Sequence, residues 1–204
     1  MSKKQKTRCG IGDKIVVMGA SAGGIKTLKL ILEGIPRDFP SPILITQHIS
    51  PTFHKLEHFA FLLELTCEIK IKVAEEGEFL YPGVAYICPP ARHMEISIED
   101  NFPCIKLSIN REINYGMPCI DLLFSSISQV YKDKAIGIIL TGMLRDGVDG
   151  LKEIRKARGL TLAESEETAE SYGMPRRALE EGAARLSVPN YEIKNHLIRF
   201  TAST

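Results

Sequence analysis

Three short stretches of the chain hold side chains able to do acyl-transfer chemistry. Gly19-Ala20-Ser21-Ala22-Gly23-Gly24 sets a serine among small residues, in the Gly-x-Ser-x-Gly spacing of a nucleophile elbow. Thr46-Gln47-His48 ends in a histidine, and Leu140-Thr141-Gly142-Met143-Leu144-Arg145-Asp146-Gly147 carries an aspartate. Serine is a poor nucleophile until a base accepts its proton, and histidine titrates near neutrality. A carboxylate completes the set by receiving the imidazole Nδ1–H and stabilising the imidazolium that forms. Ser21, His48 and Asp146 therefore read as nucleophile, base and orienting acid. Each has a plainer alternative. The glycine turn would cradle a phosphate with Ser21 as a helix cap, His48 would be incidental, and Asp146 would cap a helix starting near Gly147. Neither standard phosphate-loop spacing is present, however. Asp149 competes with Asp146 but falls a turn into that helix.

These residues must be positioned by strands and helices, and the hydrophobic pattern supplies them in alternation. Lys14–Met18, Pro42–Thr46 and Ala135–Leu140 are short apolar runs, each ending at one of the three stretches. Ile69–Val73 and Leu160–Ala163 read as further strands. Helical spacing follows at 24–34, 51–65, 120–127 and 148–158, with a proline-opened helix over 175–181. Val84–Cys88, His93–Ile98 and Ile105–Ile109 are separated by turn signals and predict hairpin structure at one edge of the sheet. The whole reads as an α/β domain with a mostly parallel sheet, in which ligands bind beyond the carboxyl ends of the strands. Residues 1–13 form an N-terminal extension, 14–190 one domain, and 191–204 a tail that reads as a docked helix.

The chain has 204 residues, with 26 Lys+Arg against 25 Asp+Glu and a net charge of +1. That balance argues against nucleic acid as a partner, since neutralising phosphates takes a cationic surplus. No apolar run is long enough to insert in a bilayer. Cys9, Cys67, Cys88, Cys104 and Cys119 form no Cys-x-x-Cys pair, and the basic N-terminus lacks an apolar signal core. A cytoplasmic protein with buried free thiols is the expectation.

GASAGG, TQH and LTGMLRDG together resemble the catalytic domain of the chemotaxis protein-glutamate methylesterases, the CheB family. The likeness extends to YICPPARHM, MPCIDLLFSSIS and YGMPRRALEEGAA, and covers roughly residues 14 to 190. It implies a three-layer α/β/α sandwich with a doubly wound sheet. It also implies hydrolysis of glutamate γ-methyl esters on the methylated cytoplasmic helices of membrane chemoreceptors, releasing methanol, and deamidation of receptor glutamines. By the same resemblance Ser21 is the nucleophile, His48 the general base and Asp146 the orienting carboxylate. The Met143 amide is then the oxyanion donor, joined by the Ala22 amide because it follows the nucleophile. No metal or organic cofactor is implied.

The sequence departs from the family pattern in three respects. The usual receiver domain does not precede the first strand, so regulation is expected from a separate receiver protein or not at all. Ala22 stands where threonine is common, in a form resembling esterase domains fused to methyltransferases. Leu144-Arg145 replaces small or polar residues, and a cationic Arg145 at the cleft would attract an acidic substrate. A non-catalytic receptor-binding module of the same fold is the alternative from another class, and nucleotide binding at the glycine loop a weaker third. His54 and His58 have the i, i+4 spacing to bind zinc with His48, but no third ligand geometry is evident. His93 borders the cleft without an assigned role, and Glu164–Glu170 reads as a solvated helix start.

Overall fold

The computed structural model describes residues 7–49, 56–109 and 117–202. Strand β1 (Ile15–Ala20) is the axis of the site, with β2 (Ile43–Gln47) and β7 (Ala135–Ile139) paired parallel on either side. With β3 (Lys70–Val73), β4 (Val84–Ile87), β8 (Leu160–Glu164) and β9 (Leu186–Val188) they form one seven-stranded sheet, in the order β3-β4-β2-β1-β7-β8-β9. Every pairing in it is parallel. A parallel sheet needs cover on both faces, and the burial of β1 shows both: Ile15 and Val17 belong to one core cluster, Val16, Met18 and Ala20 to the other.

Helices α1 (Gly24–Leu32), α2 (Leu56–Thr66) and α6 (Asn190–Ala202) cover the second face. Helices α3 (Ile120–Tyr131), α4 (Val148–Lys156) and α5 (Gly173–Glu180) cover the first. The result is the expected three-layer sandwich. Ile193 and Leu197 of α6 are wholly buried, so 190–202 is a docked helix. No helix among the described residues is long and apolar enough to cross a membrane.

Three expectations are corrected here. Val84–Ile87 is not part of a hairpin; it lies inside the main sheet between β3 and β2. The hairpin is β5 (His93–Glu99) with β6 (Phe102–Ser108), which starts earlier than the apolar run at Ile105. These two strands form a separate antiparallel sheet packed on α3 instead of extending the edge. Glu164–Glu170 does not start a helix. Glu164 is the buried last residue of β8, and the first helix after it, α5, opens at Gly173 with Pro175 inside its first turn. His54 lies outside the described residues, as does the side chain of His58.

Candidate active site

Because β2, β1 and β7 are adjacent and parallel, their carboxyl ends bring Ser21, His48 and the loop after Leu140 to one edge of the sheet. Backbone bonds tie these ends together. The Ser21 N–H donates to Thr141 O at 2.9 Å, and the His48 N–H donates to Ala20 O at 2.9 Å. Thr141 Oγ1 donates to Ala22 O at 2.9 Å, and Gln47 Nε2 donates to Ser21 O at 2.8 Å. The segment carrying Ser21 is thus held from β2 on one side and β7 on the other. Ser21 is no helix cap: α1 is capped by Gly23 in the left-handed region, without a side-chain bond.

His48 Nδ1 lies 3.2 Å from Ser21 Oγ, and His48 Nε2 lies 2.7 Å from Asp146 Oδ2. The ring is therefore turned opposite to the expected sense, with Nε2 on the carboxylate and Nδ1 on the serine. An ionised Asp146 requires Nε2 to carry the hydrogen, which leaves the Nδ1 lone pair facing Ser21 Oγ. The chemistry is unaltered, since either nitrogen serves as base when the other is bound.

Asp146 is buried, and it does cap a helix, though not the expected one. Oδ2 accepts from the Ile120 N–H at 2.8 Å, and Oδ1 from the Asp121 N–H at 3.0 Å, first-turn amides of α3 that have no partner within the helix. Cys119 Sγ also donates to Oδ1, at 3.3 Å. Burial by itself would raise the carboxyl's pKa. The bonds from His48, Ile120 and Asp121 outweigh it and hold Asp146 below the ordinary aspartate value.

The favour is returned. Asp121, in the first turn of α3, accepts from the Gly150 N–H in the first turn of α4 at 2.7 Å. Each of the two helices is therefore capped by an aspartate belonging to the other's segment. Gly147, between Asp146 and α4, has φ +91°, and a Cβ there would meet Ile120 Cγ2 at 2.6 Å. Only glycine permits that junction.

Burial, first, and the neighbouring Asp146 charge push the Asp121 carboxyl up to about 6. A carboxyl raised on folding binds an extra proton in the folded state between the unfolded value, about 3.9, and the folded one. Its contribution is present at low pH and lost as pH rises through about 6. Asp121→Asn keeps an acceptor for Gly150 without the ionisation. Its stability relative to wild type should improve between pH 4.5 and 7, read from urea midpoints. A difference that stays constant with pH would contradict the assignment.

Glu164 was missed in the sequence, where it looked like the start of a solvated run. Its Oε2 accepts from the Thr141 N–H at 2.8 Å, and its Oε1 from Thr168 Oγ1 and Asn190 Nδ2, each at 3.1 Å. It holds the end of β7 where Thr141 grips the Ser21 loop. Burial raises its pKa. His93 is buried at the start of β5, and its Nδ1 accepts from the Cys119 N–H at 3.2 Å, behind the start of α3.

Met143 and Ala22 flank Ser21 from two loops, and no hydrogen bond among the described residues occupies either backbone N–H. Gly142 makes this approach possible, because a Cβ there would fall 2.8 Å from Ser21 Cβ and 2.3 Å from Met174 Sδ. A cavity of about 650 Å³ opens beside Ser21, with Gly24, Lys26, Lys29, Gln47 and His48 among its lining. Arg145 is not the substrate-attracting cation expected. Its guanidinium is bonded to both carboxylate oxygens of Asp149 and both of Glu181. Asp149 is occupied there and does not reach His48. Of the five thiols, Cys9, Cys88, Cys104 and Cys119 are buried and Cys67 half-buried, all free. Among the described residues no three His, Cys, Asp or Glu side chains converge as a metal site.

Comparison with known proteins identifies the family. A solved structure of the Thermotoga maritima CheB methylesterase catalytic domain superposes with a TM-score of 0.88 at 36% identity, covering 92% of this chain and 98% of that one. A Thermotoga maritima protein named protein-glutamate methylesterase/protein-glutamine glutaminase is 36% identical over 198 residues. A Chromohalobacter salexigens protein of the same name is 40% identical over 187 residues. The alignments cover 97% and 92% of this chain but 57% and 52% of those relatives, so the chain spans little more than half their length. The family model described as CheB methylesterase matches residues 16–197, nearly the whole sheet and its helices, and the chain belongs to that family.

Proposed function

We propose that this protein is a serine hydrolase that removes methyl groups from glutamate γ-methyl esters of chemoreceptors, with Ser21, His48 and Asp146 as its triad. The observation that carries the reading is the unbroken chain from Ser21 Oγ through His48 to Asp146, at 3.2 Å and 2.7 Å. Membership of the methylesterase family supports it, as do the names of the relatives.

In this mechanism His48 Nδ1 takes the Ser21 hydroxyl proton as Oγ attacks the ester carbonyl. Negative charge grows on the carbonyl oxygen, facing the Ala22 and Met143 N–H groups, which act as the oxyanion hole. The C–O bond to the methoxy group then breaks, His48 Nδ1–H protonates the leaving oxygen, and methanol departs from a glutamyl-serine ester. Water repeats the cycle: His48 removes its proton, the hydroxide attacks, and Ser21 Oγ leaves and is reprotonated. Asp146 holds the ring and stabilises its cationic form throughout. A glutamine side chain enters by the same route with ammonia as the leaving group. The action on receptors belongs in the cytoplasm.

The test uses a chemoreceptor cytoplasmic fragment carrying radiolabelled methyl esters. Volatile methanol should be released at a rate proportional to the protein. A fluorophosphonate should block that release and add its mass to the peptide containing Ser21. Release that continues after complete labelling, or labelling elsewhere, would overturn the reading.

A further inference from the structure

The loop that follows β7 is braced at every point but one. Gly142 donates its N–H to Ser171 O and accepts from the Met174 N–H, both at 2.8 Å. Arg145 is clamped to α4 through Asp149 and to the end of α5 through Glu181. Between these anchors Met143 and Leu144 turn outward, 61% and 75% exposed, among the most exposed large apolar side chains in the described protein. Leu144 also has φ +65°, a left-handed conformation that a branched side chain adopts at a cost. Neither the burial of an apolar group nor a backbone preference explains a leucine here. Strain held by a rigid frame beside a reactive serine is the pattern of a residue kept for an external contact.

The strand order fixes where that contact lies. His48 and Gln47 stand on β2's side of Ser21, and the Met143–Leu144 tip on β7's side. Gly142 packs against Ser21, so a protein segment that leaves the cavity lined by Gly24, Gln47 and His48 toward β7 passes across the tip. We propose that Met143 and Leu144 form a docking element for the protein bearing the ester, contacting an apolar side chain close to the methylated glutamate and thereby selecting which glutamate is hydrolysed. This rests on the protein-borne ester proposed above and adds to it a specificity-determining contact.

The probes are two synthetic peptides holding one glutamate γ-methyl ester, flanked in one by leucines and in the other by serines. Binding is measured with Ser21→Ala protein, which leaves the ester intact. The leucine-flanked peptide should bind about tenfold more tightly, the scale of burying one aliphatic side chain. In Ser21→Ala/Leu144→Asn that preference should disappear, since asparagine tolerates the left-handed backbone and removes only the apolar surface. Equal binding of both peptides by the first protein, or an undiminished preference in the second, overturns the proposal. Turnover of a small glutamate γ-methyl ester by wild type reports separately on the esterase reading. Leu144→Gly should keep or raise the melting temperature. A fall of several degrees would mean that the side chain holds the fold together, and would equally overturn the proposal. So would a loss of self-association in Leu144→Asn by sedimentation, which would make a second copy of this chain the occupant.

Discussion

Replacing Ser21 by alanine should remove the proposed ester hydrolysis, by about 10⁴- to 10⁶-fold in kcat, while leaving the fold intact. The size of the effect follows from the site's construction. Ser21 Oγ bonds to His48 and to no other described group, so its loss unpairs one imidazole nitrogen at a surface that is one-quarter exposed. The strand ends stay where they are, because they are joined through the Ser21 backbone N–H and carbonyl. Melting temperature should therefore barely move. His48→Ala should cost nearly as much activity, and the double variant little more than either single one, since the groups act as a unit. The check is methanol release from the radiolabelled receptor fragment alongside thermal unfolding. Additive losses, or release within tenfold of wild type from Ser21→Ala, would exclude the mechanism.

Asp146→Asn should lower kcat about 10³- to 10⁴-fold and, unlike the serine change, destabilise the fold by about 1–2 kcal/mol. All four bonds to the wild-type carboxylate come from donors: His48 Nε2 and the Ile120 N–H on one oxygen, Cys119 Sγ and the Asp121 N–H on the other. An amide has only one oxygen. If it faces His48 and Ile120, its NH₂ opposes the Asp121 N–H at the start of α3. If it is turned around, the NH₂ faces His48 Nε2, the ring hydrogen moves to Nδ1, and Ser21 loses its base. The pH dependence has a definite sign. A carboxyl whose pKa is lowered on folding contributes stability above its unfolded value, and that contribution is lost as pH falls through the folded one. The stability gap between wild type and Asp146→Asn should accordingly close on acidification. Small-ester kinetics and urea midpoints at pH 7 and pH 3 are the measurements. A variant of wild-type stability, or one retaining a tenth of the activity, would contradict this account.

Strands β1, β2 and β7 and the three residues at their ends were legible because each strand is a short apolar run stopped by glycine or by polar residues. Parallel pairing of β1, β2 and β7 then leaves no choice about which edge those residues share. What escaped is non-local. Val84–Ile87 looks like a hairpin strand because a four-residue apolar run bounded by turns does not say which neighbours it has. Leu186–Val188 is too short for any period to register. The acidic run concealed Glu164 because its partners Thr141 and Asn190 lie 23 and 26 residues away. A carboxylate immediately after Leu160-Thr161-Leu162-Ala163 was the available signal, since a strand end at the binding edge is where a charge has work to do. The turn of the His48 ring has no sequence signature. It depends on how the start of α3 places Asp146, a matter of packing.

The exchange of caps between α3 and α4 has a bearing on how this domain changes over generations. Ser21 and His48 can be replaced without unpairing a backbone amide, so a lineage that abandons ester chemistry is free to lose them. Asp146 answers to a second constraint, because two amides of α3 lose their acceptor when it goes. Descendants that had become pure binders would still carry the aspartate, and its presence in them would testify to ancestry and folding instead of turnover. In this architecture the serine is the perishable mark of the trade, and the acid is the heirloom.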